Sequence, residues 1–161
     1  MKSKTVILGL FLATAVCCTS FTPGNSHRSP GKIMNGYRGE KGFVSLSVPV
    51  FLAKAFIPRE EQALRDMIRD IRRIRLLVCG DACRNPRAVM ECMQEFSAYF
   101  RESGYVEIMQ VKDGDETVLM NALPGENGFR DMVMIVSSGE EFVVIHLTGI
   151  LDLEKIAKLM E

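Results

Sequence analysis

Tryptophan is absent from the 161-residue chain and aromatic side chains make up only 7% of it. Stacking platforms for sugars or nucleobases are therefore poorly supplied. An excess of one charge is lacking too: 20 basic residues balance 20 acidic ones. That balance excludes a general electrostatic attraction to polyanions such as nucleic acids. No Gly-x-Ser-x-Gly elbow, phosphate-binding glycine loop or metalloprotease helix motif occurs, so the common signatures of hydrolytic and nucleotide-dependent chemistry are missing. With no catalytic constellation, the residues imply no cofactor and no metal.

What is present begins at the N-terminus. Lys2 and Lys4 precede an apolar run from Thr5 to Val16, about a dozen residues long. That is too short to span a bilayer as a helix and has the length of a secretory h-region. Residues 1–18 are accordingly read as a signal sequence directing export to the periplasm or outer envelope. Cys17 and Cys18 stand where a lipoprotein signal places the lipidated cysteine. The residues before them fit a lipobox imperfectly, and ordinary cleavage near Cys18 or Ser20 is the alternative. Without Lys2 and Lys4 the mature chain has 18 basic groups against its 20 acidic ones.

Residues 19–42 mix Ser, Gly, Pro and basic residues with hardly any consecutive apolar positions. Such a stretch buries too little surface to offset its chain entropy and is expected to be a disordered leader. The remaining 43–161 read as one domain, a length that suits a single core. Phe43 to Val48 alternates as a strand, and Val50 to Phe56 is a short helical stretch after Pro49. Leu64, Met67, Ile68 and Ile71 recur at three and four, predicting a helix from about Glu60 to Arg72. Ile74 to Cys79 is an apolar, branched run of central-strand type.

Asn85-Pro86 supplies an N-cap and a first-turn proline, and Gly104 a stop, for a helix with Val89, Met93, Phe96 and Phe100 inward. Four strands follow: Tyr105 to Lys112, Glu116 to Leu123, Phe129 to Ser137 and Glu141 to Thr148. Turn residues of hairpin type join them. Asp152 then caps a final helix bearing Leu153, Ile156, Ala157 and Met160 on one side. Hairpins require antiparallel pairing, while the strand–helix–strand passages permit parallel neighbours. The expectation is an α+β fold, with a single mixed, mainly antiparallel sheet, a four-strand meander at its end, and helices packed on one face.

Three cysteines remain beyond the signal region: Cys79, Cys83 and Cys92. Cys79 and Cys83 are separated by three residues, unlike the two-residue spacing of thioredoxin-type redox pairs and zinc knuckles. Gly80 and Asp81 between them suit a tight turn. In an oxidising compartment a Cys79–Cys83 disulfide with a buried, free Cys92 is expected. A metal site of these three with His146 can be drawn on paper, but no spacing supports it. His146, within an alternating strand, is expected to be a half-exposed packing residue. Arg65, Arg69 and Arg72 or Arg73 fall on one helical stripe, with Asp66 and Asp70 interleaved, a pattern of a solvated face with local ion pairs. Met109, Met120, Met132 and Met134 lie on strands, either as core filling or as an adaptable partner-binding sheet face.

The segments RIRLLVCGD and GYVEIMQVKDGDETVLMNALPGENGFRDMVMIVSSGEEFVVIHLTGILDLEKIAKLM resemble a family of small exported proteins, often lipoproteins, of Bacteroidetes, known as domain of unknown function 4252. The resemblance covers Phe43 to Met160 and is densest from Tyr105 onward. Its most specific piece runs from Val143 to Leu153, where similar members often read Gly-Asp-Ile-Asp-Leu. Here Ile150 stands in place of the first acid. The resemblance implies a signal sequence and attaches no activity. From the residues, the expected role is a non-enzymatic envelope accessory module that binds a protein or small ligand. Its contact with the membrane is only through an N-terminal lipid. The alternative is a thiol-dependent redox protein using the Cys79–Cys83 loop.

Overall fold

The computed structural model describes residues 28–56, 58, 60, 62–80 and 85–152. In chain order the described elements are α1 (Pro30–Gly36), β1 (Phe43–Val48), α2 (Val50–Phe56), α3 (Gln62–Arg69), β2 (Ile71–Cys79) and α4 (Pro86–Ser103). The meander β3 (Val106–Asp113), β4 (Glu116–Gly125), β5 (Gly128–Ser137) and β6 (Phe142–Leu151) follows. Residues 1–18, read above as a signal sequence, and the final helix expected after Asp152 lie outside the described residues.

The six strands form one sheet in the order β1-β2-β6-β5-β4-β3, and every pairing is antiparallel. The fold is α+β, as expected. The parallel neighbours that the connections permitted do not form, because β6 returns antiparallel to β2, with Leu76 opposite Ile145 and Leu77 opposite Val144. β6 thus sits inside the sheet with partners on both sides, and β1 and β3 form the edges. Consistent with a central position, its 143–147 stretch is Val, Val, Ile, His and Leu, nearly continuous in apolar character.

α4 is built as its sequence dictates. Asn85 Oδ1 accepts from the Ala88 N–H at 3.1 Å, Pro86 occupies the first turn, and Gly104 closes the helix in the left-handed region, φ 74°. A residue with a Cβ would be strained there. The buried stripe runs Ala88, Cys92, Phe96 and Phe100, with Val89 and Met93 flanking it half-buried. The inward face is therefore turned slightly from the Val89–Met93 line that periodicity favoured. It packs on Leu77, Val133, Ile135, Phe142 and Val144, one pleat phase of β2, β5 and β6. Burial of one such Phe or Leu contributes about 1.5–3 kcal/mol.

Two sequence expectations are corrected. Residues 30–36, assigned to the disordered leader, form α1, in which Ile33 and Met34 are buried in the α4 core. Ser29 caps the helix by accepting from the Lys32 N–H, and Pro30 takes the first turn. Two apolar side chains with this capping pair suffice once α4 offers a surface, a tertiary effect that local composition does not register. In addition, α3 ends at Arg69 and β2 already begins at Ile71. Arg72, Arg73 and Arg75 are thus strand residues, and neither Arg72 nor Arg73 continues the helical stripe expected from Arg65 and Arg69. Ile71 pairs with Gly149, whose missing side chain admits the chain: a Cβ there would stand 2.4 Å from the Asp70 carbonyl oxygen.

Candidate functional site

Alternation places Asp131, Val133 and Ile135 of β5 on the α4 side of the sheet, together with Phe142, Val144, His146 and Thr148 of β6. His146 is 5% exposed, so it is not the half-exposed residue expected of it. Its Nε2 lies 2.9 Å from Asp131 Oδ1 and 3.1 Å from Oδ2, with Thr148 Oγ1 at 3.3 Å. Tyr105, just after the Gly104 stop, donates to Asp131 Oδ1 at 2.8 Å. Burial, and then the Asp131 carboxylate, push the Tyr105 phenol well above its ordinary range, since both disfavour a phenolate.

An imidazole oriented by a carboxylate is half of a nucleophile-activating arrangement. Among the described residues the other half is not formed. The second ring nitrogen, Nδ1, is buried and has no hydrogen-bond partner, and His146 lines none of the three cavities described below. The cluster joins β5, β6 and the α4–β3 corner. Its physical role is to tie these elements together.

The cysteines fall as follows. Cys79 ends β2, is fully buried and is disulfide-bonded. Cys92 is buried and free, so it is not the partner. Cys83, Cys17 and Cys18 lie outside the described residues. Desolvation, and then Glu95, push the Cys92 thiol up to about 12, which leaves almost no thiolate at neutral pH. Cys79 lines a small cavity of about 190 Å³ with Pro86, Val89 and Phe142. Among the described residues no group of three His, Cys, Asp or Glu side chains is placed to hold a metal. Arg75, opposite His146 in the β2–β6 register, lies half-buried against α1, where Gly31 leaves room for its guanidinium.

The other pleat phase gives a second surface. Pairing places Val44 beside Val78, Leu46 beside Leu76, Val78 beside Val143 and Leu76 beside Ile145. It continues through Met134 beside Ile145, Met120 beside Met134 and Met109 beside Met120, to Val111 beside Val118. All four strand methionines named from the sequence share this face. Val50 of α2 packs at one end of it, with Ile74, Met120, Met132 and Leu147, so α1 and α4 cover one face while α2 touches the other. The rest stays open: Val44 is 53% exposed, Leu46 50%, Val111 47% and Val106 42%. No charged residue interrupts the pairs just named.

Two further hollows exist. One, of about 530 Å³, lies at the β4–β5 turn around Pro124, Arg130 and Ile150. The other, of about 360 Å³, lies beside the C-terminal half of α4 above β3 and β4, with Asn121 and Leu119 in it. Asp131 and Asn121 were both missed in the sequence, although each is a polar residue in the inward phase of a strand that is otherwise apolar there. That phase mismatch was the available signal.

The sequence profile of the family described as Domain of unknown function (DUF4252) matches residues 37–159. No curated protein and no solved structure matches the chain.

Proposed function

The chain belongs to the family described as Domain of unknown function (DUF4252), and from that premise we propose that its domain is an exported, non-enzymatic module that binds another protein through the open apolar face of its sheet. The observation that carries the reading is the uncharged band from Val44 and Leu46 on one edge strand to Val111 on the other, exposed at both rims. Six strands about 4.8 Å apart span roughly 24 Å, and the part of the face left free of α2, about five residues of each strand, is on the order of 400 Å². One partner in a stable protein interface buries about twice that area. An apolar patch of this size is more than scattered surface hydrophobics supply.

The partner is a protein that offers an apolar helix or sheet surface, because the band of pairs from Val44 to Val111 carries no charge with which to select a polar one. Its methionines adapt to irregular contacts. Export is supported by the Lys2, Lys4 and Thr5–Val16 pattern and by the disulfide at Cys79, since such bonds persist in oxidising compartments.

The test compares proteins retained from envelope extract by the wild-type chain and by a Leu46→Glu, Val111→Glu variant. Both sites are exposed, so the variant keeps its fold. Retention that survives high salt and disappears in the variant supports the reading. The same proteins on both baits contradict it.

A further inference from the structure

The open face of the sheet carries a ridge at one corner. α2 follows directly on β1, and its Val50 packs into the cluster of Ile71, Met132 and Leu151. The same short helix leaves Phe51 70% and Leu52 42% exposed. Among the described residues no large apolar side chain is more exposed than Phe51. Single exposed hydrophobics mean little, but these two border an open apolar face and enlarge one continuous patch.

The diagonally opposite corner is acidic. Register runs from Val48 through Ile74, Leu147, Met132 and Ala122 to Val106, so α2 starts at the Val106 end of the strands. The β3–β4 turn lies at their other end, on the other edge of the sheet. There Asp113 stands opposite Glu116, in the phase of Val111 and Val118 and hence on the open face. Both are exposed, and neither makes an ion pair among the described residues. Like charges directly opposite one another repel. Lys54, in the last turn of α2, also has no carboxylate partner among the described residues.

A face with a basic, apolar ridge at one corner and an acidic opening at the other is complementary to itself. A two-fold axis between two facing copies, at right angles to that diagonal, sets each α2 over the other copy's acidic corner. The sheet is about as wide as its strands are long, roughly 24 Å against 27 Å. The strands of the two copies therefore cross near a right angle, the orthogonal class of sheet packing. Resting on the protein-binding reading of this face, we propose that its partner is a second copy of the chain, packed about that axis. Phe51 and Leu52 fill the half of the face that α2 leaves open in the other copy. Lys54 meets the second copy's Asp113 and Glu116. The free sheet face supplies on the order of 400 Å², and Phe51 with Leu52 adds on the order of 200 Å². About 600 Å² per copy is the lower end of what a specific interface buries.

The experiment produces two forms of the full chain together in the native host, with different C-terminal tags, and captures one from solubilised envelope. The other form is expected to co-purify. Phe51→Glu in both forms should lower the recovered share about tenfold or more. Lys54→Glu in both, or Asp113→Lys with Glu116→Lys in both, should each lower it about threefold or more. All three charge changes together should restore the wild-type share, because the reversed corners attract again. Restoration of this kind requires contact between copies, and it shows that the changed chains fold. No co-purification, an unchanged share in Phe51→Glu, or no restoration by the combined charge reversal would overturn the second-copy assignment. If another envelope protein is then retained in a Val111-dependent way, the protein-binding reading stands without it. If nothing is retained, both fall.

Discussion

His146 and Asp131 are joined across the β5–β6 pair, Nε2 to Oδ1 at 2.9 Å, in a position where the histidine is buried and the carboxylate also accepts the Tyr105 hydroxyl. Removing the carboxylate strands the buried His146 ring N–H and takes the acceptor from the half-buried Tyr105 hydroxyl at once, which costs more than losing a single hydrogen bond. Asp131→Ala is expected to destabilise the domain by about 3 kcal/mol, and Asp131→Asn, which keeps one acceptor oxygen, by about half as much. Urea unfolding of the three proteins checks this. Equal midpoints would mean that the cluster holds nothing together.

The pH dependence at the alkaline end follows from Cys92. Its folded-state thiol is raised from 9.0 to about 12 by burial, while in the unfolded chain it ionises near its ordinary value. The unfolded state therefore loses its proton first as pH rises. The stability from this group is fully present below about pH 9 and is lost progressively between pH 9 and 12. Its share of the loss should be on the order of 2 kcal/mol by pH 11. The raised Tyr105 phenol acts in the same direction from about pH 10 upward. In Cys92→Ala the decline should begin about one pH unit later than in wild type. A decline unchanged in that variant would assign it to other groups.

The disulfide at Cys79 is expected to close onto Cys83, the cysteine nearest in sequence. Alkylation of protein taken from the envelope, before and after reduction, should label Cys92 only slowly without reductant. Cys79 and Cys83 should be labelled only after it. Reduction should lower stability by about 2 kcal/mol, the chain-entropy contribution of so short a loop. Labelling of Cys79 in unreduced protein would remove both the bridge and the support it lends to export.

Much of the fold was legible from local chemistry. Asn85-Pro86 and Gly104 bounded α4, and the turn residues between Asp113 and Glu141 marked three hairpins, because caps and turns act within a few residues. What local chemistry does not carry is pairing between distant strands. That β6 inserts beside β2 is decided by the fit of Val144 to Leu77 and of Ile145 to Leu76, about seventy residues apart in the chain. α1 was missed for the same reason, since Ile33 and Met34 find their partners on α4. The candidate sites were the least legible. Asp131, His146 and Tyr105 converge from three elements, and the open face becomes visible only when six strands are set in register.

The most direct test of the account is photo-crosslinking in intact cells of the native host, with a benzophenone side chain at Leu46 on the open face or at Glu102 on the exposed side of α4. The account predicts a discrete heavier species from the Leu46 position, lost when Val111→Glu is added, and none from Glu102. No adduct from Leu46, or the same adducts from both positions, would contradict it.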